Sequence, residues 1–390
     1  MSKIRKICVV ITARPSYSRI KTAVRAIDKH PFLKLQLVVA GSALLGRYGS
    51  VVKYIEKDGF KISEKVFNVL EGENLSAAAK TTGIGIMELS SVFEKLKPHI
   101  VVTVADRFET IATAIASSFM NIPLAHIQGG EVSGNIDEKV RHAITKLSDY
   151  HFPASKNASK RINLLGEEKS FIFNHGCPSI DIAKTVYKNH SLNFDIFKKY
   201  GGVGSRFDYK NGYLVVMQHP VTNEYADAGS QIRETLEAIK KINLPTFWFW
   251  PNVDAGSDNT SKGIRTFREE YKNLKIRFFK NMEPVDFLKL IFNSMCLIGN
   301  SSVGIRECAY LGVPVVNIGT RQIGRDRGKN IIDVDYDKYQ IINAIQNWIV
   351  NQKPERSNVY GGGNAGKMIA ETLSTVELRF QKRINYKLNN

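Results

Sequence analysis

Two groups of residues in this chain have the types and spacing for chemistry. The first is acidic: Asp106 beside Arg107, then Glu131, Asp137 and Glu138, each shortly after an apolar run. A lone carboxylate of this kind is ordinarily a helix-N-terminal or salt-bridge partner. Four of them with an arginine suit acid/base work on a bound group. The second group sits in "IGNSSVGIRE", residues 298–307, where an apolar run stops at Gly299, Asn300, Ser301 and Ser302. A helical pattern then runs toward Tyr310, with Glu307 about a turn and a half inside it. Ser301 and Ser302 at its mouth are placed for a structural N-cap. The same open amides, helix dipole and hydroxyls also make a phosphate site, with Gly299 letting a ligand approach the backbone. Glu307 can accept from ribose hydroxyls, and Arg321 can neutralise a diphosphate with two hydrogen bonds. The combination reads as a nucleotide-diphosphate half-site.

The elements that must position these residues are continuous apolar runs alternating with helical patterns, the signature of parallel α/β sheets. Runs at 6–12, 35–41, 99–105, 123–128, 150–155 and 170–176 read as strands of a first half, with helices at 18–28, 76–96 and 108–120. Runs at 213–219, 246–252, 276–280, 296–300 and 313–319 read as a second. The fold class is therefore α/β, two Rossmann-like doubly wound domains. Their boundaries are placed at 1–185 and 186–365, with the join in the Lys-, Asn- and Tyr-rich stretch near 180–210. The loop "YGGGNAG" at 360–366 lets the chain turn and cross back, and a last helix from 367 to about 384 belongs to a segment 366–390. Ligands of open parallel sheets bind beyond the carboxyl ends of strands. Those ends carry Arg14 and Ser18, Asp106 and Arg107, Glu131, His219, Asn252, Ser301 and Ser302, and Arg321. A cleft shared by the two halves is the economical expectation. No G-x-G-x-x-G follows the first strand, where "TARPSYSR" stands instead, and this argues against a nicotinamide enzyme. "TGIGIM" at 82–87 is a glycine pair entering a helix, with no role assigned.

Composition narrows the classes further. The net charge of +18 raises nucleic acid as a partner, yet Lys and Arg are spread along the chain and no nucleic-acid-binding motif appears. The densest basic cluster, "LRFQKRINYK", is short and follows a helix. A basic surface around an anionic-substrate cleft is the preferred reading. Four scattered cysteines show no CxxC pair or metal-ligand spacing, and two of them sit inside apolar runs as buried thiols do; the chain reads as a reduced cytoplasmic protein, with neither metal nor cofactor expected. No apolar run approaches the ~18 residues of a membrane span. Residues 1–12 read as a first strand rather than a signal peptide.

The motifs "ARPSYS", "DRFET", "GGEVSGNIDEKVRHAITKLSDYH", "QHPVTNE", "PNVDAGS", "GNSSVGIRE" and "GTRQIGR" occur in that order from about Cys8 to about residue 366. Through them the chain resembles the hydrolysing UDP-N-acetylglucosamine 2-epimerases of sialic acid and related nonulosonate biosynthesis. The resemblance implies a glycosyltransferase-B-like fold with UDP held chiefly by the second domain, no cofactor, and a homo-oligomer (dimer or tetramer). It assigns Arg14, Ser18, Arg107, His219, Asn252, Ser301, Ser302, Glu307 and Arg321 to the UDP-sugar site. Asp106, Glu131, Glu138 and His219 fall where the family keeps or flanks its acid/base groups. One departure is Gln128 in "HIQGGE", where relatives often have a proton-transferring glutamate; this leaves Glu131 or Glu138 for the second acid/base role. The implied reaction converts UDP-N-acetylglucosamine to UDP and free N-acetylmannosamine through a glycal. The alternatives are UDP-N,N'-diacetylbacillosamine as substrate, or a non-hydrolysing epimerase. A UDP-sugar glycosyltransferase and a nucleotide-sugar binding protein are the readings from other classes.

Overall fold

The computed structural model describes residues 4–45, 51–70, 75–105, 107, 109–132, 136–251 and 256–386; the side chains of Arg14, Leu75, Ile136 and Asp137 lie outside that description. The chain divides into two compact units: Met1–Asp181 with Tyr360–Asn390, and Ile182–Val359. Among the described residues no helix is long and apolar enough to cross a membrane.

The first unit is built on six parallel strands, β1 (Arg5–Ile11), β2 (Leu33–Ala40), β3 (Ile62–Val66), β4 (Ile100–Val104), β5 (Leu124–Ile127) and β6 (Tyr150–Phe152). Their order is β3-β2-β1-β4-β5-β6. Ile7, Val9 and Ile11 of β1 enter one apolar layer, with Val24 and Ile27 of the helix Arg14–Lys29. Cys8 and Val10 enter the opposite layer, with Leu89 and Phe93 of the helix Leu75–Leu96. Burial on both faces is why such strands read as unbroken apolar runs.

The second unit repeats the plan with β7 (Val203–Gly204), β8 (Leu214–Met217), β9 (Thr246–Phe249), β10 (Ile276–Phe279), β11 (Cys296–Gly299), β12 (Val315–Ile318) and β13 (Ile331–Val334). The order is β13-β12-β11-β8-β9-β10-β7, all parallel except the short β7 against β10. Strand order reverses between β1 and β4 in one unit and between β8 and β11 in the other. These are the switch points where doubly wound sheets open a crevice.

Several expected elements are corrected. Residues 170–176 form no strand: Lys169–Phe171 is a 3-10 turn, and Ile172 makes only an isolated bridge to His151. The apolar pattern there serves ring packing, Phe171 on Tyr150 and Phe173 on Phe152. The strands β3, β7 and β13 were not anticipated; they lie at or beside sheet edges, where partly exposed positions break the apolar run. "TGIGIM" lies inside the helix Leu75–Leu96 rather than at its entry. The last helix is Ala365–Thr375 and stops well short of 384.

That last helix crosses back to the first unit as expected. Gly366 is pressed on the helix Arg14–Lys29, where a Cβ would stand 2.7–2.8 Å from the Thr22 and Ala23 backbone. Asp181 supplies its cap from a distance, accepting the Ala365 and Gly366 amides at 2.8 Å each and the Thr22 hydroxyl at 2.8 Å. The segment beyond Thr375 then runs as a strap. Lys382 donates to the Lys146 and Ser148 carbonyls at the end of the helix Ile136–Leu147, at 2.7 and 2.6 Å. It also pairs with Glu167 at 2.6 Å.

Glu167 is the anchor of this strap. It is buried and also bonds Lys146 at 2.6 Å and His151 at 3.1 Å. Burial alone would raise its pKa, but the hydrogen bonds from His151, Lys146 and Lys382 outweigh that and hold it at about 2, from an ordinary 4.5. A depressed carboxylate stabilises the fold above its unfolded pKa, and that contribution is lost as pH falls through the folded value. Glu167→Gln should therefore cost about 3–5 kcal/mol at pH 7, the usual result of removing one partner of a buried pair. The gap between variant and wild type should narrow as pH falls from 4.5 toward 2. Urea unfolding across that range measures both; a gap independent of pH would reject the assignment.

Candidate active site

In the first unit, three strands end on residues in the left-handed region: Gly41 after β2 (φ +62°), Ala105 after β4 (φ +64°) and Gln128 after β5 (φ +67°). For the two non-glycine residues this is a strained conformation that surrounding contacts must hold. His126 on β5 supplies one, its Nε2–H donating to the Ala105 carbonyl at 2.9 Å. Burial lowers the pKa of His126 to about 4, so the ring is neutral at pH 7 and Nδ1 faces the Thr145 hydroxyl at 3.3 Å. Gln128 donates through Nε2 to the Cys177 sulfur at 3.1 Å.

The turn after β4 carries a carboxylate that inspection of the sequence did not single out. Glu109 is buried, accepts the Ser42 hydroxyl at 2.9 Å and holds the Nε of half-buried Arg107 at 3.3 Å. Its only signal in the chain was the density of charge in "DRFET". Asp106 itself lies outside the described residues, as do Asn252 and the side chain of Arg14. The helix Arg14–Lys29 begins directly after Ala13 without a side-chain cap, with Ser16 buried and Ser18 half-buried in its first turns.

The loop after β5 is tied down through its carbonyls. Buried Arg141 donates to the Glu131 carbonyl at 2.7 Å and Arg161 to the Gly130 carbonyl at 3.3 Å. The Glu131 side chain is buried. Glu138 has a different setting, half-buried on the helix Ile136–Leu147 with His142 one turn on at 3.3 Å. The two glutamates thus differ in environment, one buried beside a carbonyl held by Arg141 and one on a helix face.

In the second unit the structure brings His219, Ser301 and Arg321 around one residue, Asn300. The Asn300 Oδ1 accepts the His219 amide at 2.7 Å, and its Nδ2 donates to the His219 carbonyl at 2.8 Å. The Asn300 carbonyl accepts Gln322 Nε2 at 2.8 Å and Arg321 Nη1 at 3.3 Å. Ser301 is the N-cap, its hydroxyl accepting the Val303 amide at 3.4 Å. The helix expected to run on to Tyr310 is broken at Arg306 (φ −102°, ψ −72°) into Ser302–Ile305 and Glu307–Leu311. Glu307 therefore opens a second short helix instead of lying within the first. Gly299 (φ +126°) is required by the neighbouring strand: a Cβ there would lie 2.2 Å from the Met217 carbonyl oxygen. Neither Asn300 nor Gln322 is marked in the sequence, because nothing local there pairs Asn300 with His219, 81 positions away, or with Gln322, 22 positions on.

A family model described as UDP-N-acetylglucosamine 2-epimerase matches residues 25–374. The UDP-N,N'-diacetylbacillosamine 2-epimerase (hydrolyzing) of Legionella pneumophila is 33% identical over 380 residues, 97% of this chain and 98% of that protein. The GDP/UDP-N,N'-diacetylbacillosamine 2-epimerase (hydrolyzing) of Campylobacter jejuni is 34% identical over 85% of each chain. Among solved structures, UDP-GlcNAc 2-epimerase from Neisseria meningitidis bound to UDP-GlcNAc superposes with a TM-score of 0.76 at 19% identity, covering 94% of this chain and 99% of that one. The fold of paired doubly wound units is therefore one that solved 2-epimerases also have. With the family model spanning most of its length and a relative one-third identical from end to end, this chain belongs to the UDP-N-acetylglucosamine 2-epimerase family.

Proposed function

We propose that this protein is a hydrolysing 2-epimerase, which converts a UDP-activated 2-acetamido sugar and water into UDP and the free 2-epimeric sugar. The observation that carries this reading is the end-to-end kinship with relatives named as hydrolysing enzymes. From UDP-N-acetylglucosamine the product is N-acetylmannosamine. Both hydrolysing relatives above are named for diacetylbacillosamine, which supports UDP-N,N'-diacetylbacillosamine as the second substrate to test.

The chemical difficulty is the C2 proton, which has no adjacent carbonyl to acidify it. Elimination solves this. A base takes the C2 proton while the C1–O bond breaks and its electron pair leaves with UDP, giving a glycal. Water then adds at C1 as a proton returns to C2 from the opposite face. In this reading Asp106 is the base, and Glu131 or Glu138 returns the proton. His219, Ser301, Ser302 and Arg321 receive the diphosphate, stabilising charge as it develops on the leaving group. Arg14, Ser18, Arg107 and Asn252 complete the substrate contacts, and Glu307 takes the ribose hydroxyls.

Incubating the protein with each UDP-sugar alone tests the reading. Free 2-epimer and UDP in equal amounts support it; an equilibrium of two intact nucleotide sugars makes the enzyme non-hydrolysing. In deuterium oxide the product should carry one deuterium at C2. In oxygen-18 water the label should appear at the sugar C1 hydroxyl and not in UDP. Asp106→Asn should abolish turnover and deuterium incorporation while UDP still binds. Product retaining its original C2 hydrogen would exclude elimination.

The diphosphate contacts make a separate prediction. Arg321→Ala should weaken UDP binding by about 2–5 kcal/mol, as when one partner of a desolvated charge pair is truncated. Ser302→Ala removes at most a neutral hydrogen bond, worth about 0.5–1.5 kcal/mol. Calorimetric titration ranks the two, and equal affinities for both variants and wild type would move UDP elsewhere.

A further inference from the structure

We infer that Asn300 is the positioning residue for His219, holding that residue's main chain where the sheet itself no longer can. The inference rests on the reading above in which His219 meets the leaving diphosphate.

β8 and β11 pair from Leu214↔Cys296 to Met217↔Gly299, and the Asn300 amide adds a last backbone bond to the Met217 carbonyl at 3.2 Å. Beyond this point strand order reverses, so the chains leaving β8 and β11 diverge and backbone pairing between them ends. His219 lies just past the divergence and is buried, so its amide and carbonyl require partners. The carboxamide of Asn300 supplies both, accepting from one at 2.7 Å and donating to the other at 2.8 Å. It imitates one more peptide unit of a strand that is no longer there.

The side-chain chemistry is narrow. Aspartate has the shape of asparagine but no donor, and it would set a carboxylate oxygen against the His219 carbonyl. Glutamine adds a methylene that a fully buried position would have to accommodate. Asn300 is in turn fixed from the turn after β12 by the bonds of Gln322 and Arg321 to its carbonyl. Gln322 is itself anchored, its own carbonyl accepting Arg327 Nη2 at 2.8 Å. Three strand ends are thereby set relative to one another through one fully buried residue, two by its side chain and the third by its carbonyl.

The test is a double-mutant cycle with His219→Ala, using Asn300→Asp and the milder Asn300→Ser, in case the aspartate does not fold. Each single asparagine variant should lower kcat/KM about 10²-fold, the scale expected when a catalytic contact is misplaced by about 1 Å. Adding either to His219→Ala should cause little further loss, because the ring being positioned is already absent. Melting temperature is recorded alongside: a role confined to stability lowers it but leaves the two kinetic losses multiplicative. Multiplicative losses, or a folded Asn300→Asp enzyme with unchanged kcat and KM, would overturn the inference. If the wild type turns over neither UDP-sugar, the functional reading fails separately. The same cycle measured as UDP affinity then decides whether Asn300 acts through His219.

Discussion

A parallel sheet that reverses its strand order must leave two neighbouring backbones diverging, and their polar groups lose partners where a ligand crevice opens. The site depends on how this chain meets that constraint. At the reversal of the second unit the answer is a carboxamide on Asn300, backed by another on Gln322. Buried main-chain groups without partners cost about 1–3 kcal/mol each. A site that tolerated them would be both less stable and less well aimed. Satisfying them with side chains keeps the crevice open and its rim rigid.

The first unit meets its own reversal differently. Ala105 and Gln128 accept left-handed backbone at the ends of β4 and β5, and a neutral buried histidine locks the first of these turns through its carbonyl. Neutrality matters here. A protonated imidazole would carry a buried charge and lose the acceptor at Nδ1. The low pKa of His126, set first by burial, removes that possibility near neutral pH. Arginines then hold the carbonyls of Gly130 and Glu131 in the next turn.

Much of this architecture was legible in the chain. Strands buried on both faces announce themselves as apolar runs, and ten of the eleven runs read as strands correspond to observed ones. The run at 170–176 misled because aromatic residues packing beside a sheet follow the same pattern as a strand within it. Edge strands such as Ile331–Val334 escaped for the opposite reason, being short and only partly buried. Candidate residues presenting charge or hydroxyls at strand ends are marked in the sequence by their type. Asn300, Gln322 and His126 are not, because their value lies in pairing with main-chain atoms that only the folded topology brings near.

The basic composition also resolves through main-chain atoms. Arg5 donates to the Leu373 and Val376 carbonyls at 2.8 and 2.7 Å, closing the end of the crossover helix. Lys382 does the same for the helix Ile136–Leu147, and Arg356 binds the Tyr310 carbonyl at 2.8 Å. Cations at helix C-termini are stabilised by the macrodipole without a carboxylate partner. Each such residue adds to the formal charge while its head group is already engaged within the fold. In the terminal "LRFQKRINYK" cluster two cations are likewise engaged: Arg379 lies over the Phe171 ring at 4.3 Å and meets Glu168 at 3.2 Å, while Lys382 meets Glu167 and carbonyls. A formal charge of +18 is therefore partly a record of internal helix capping, and it overstates the basic surface available to a polyanion.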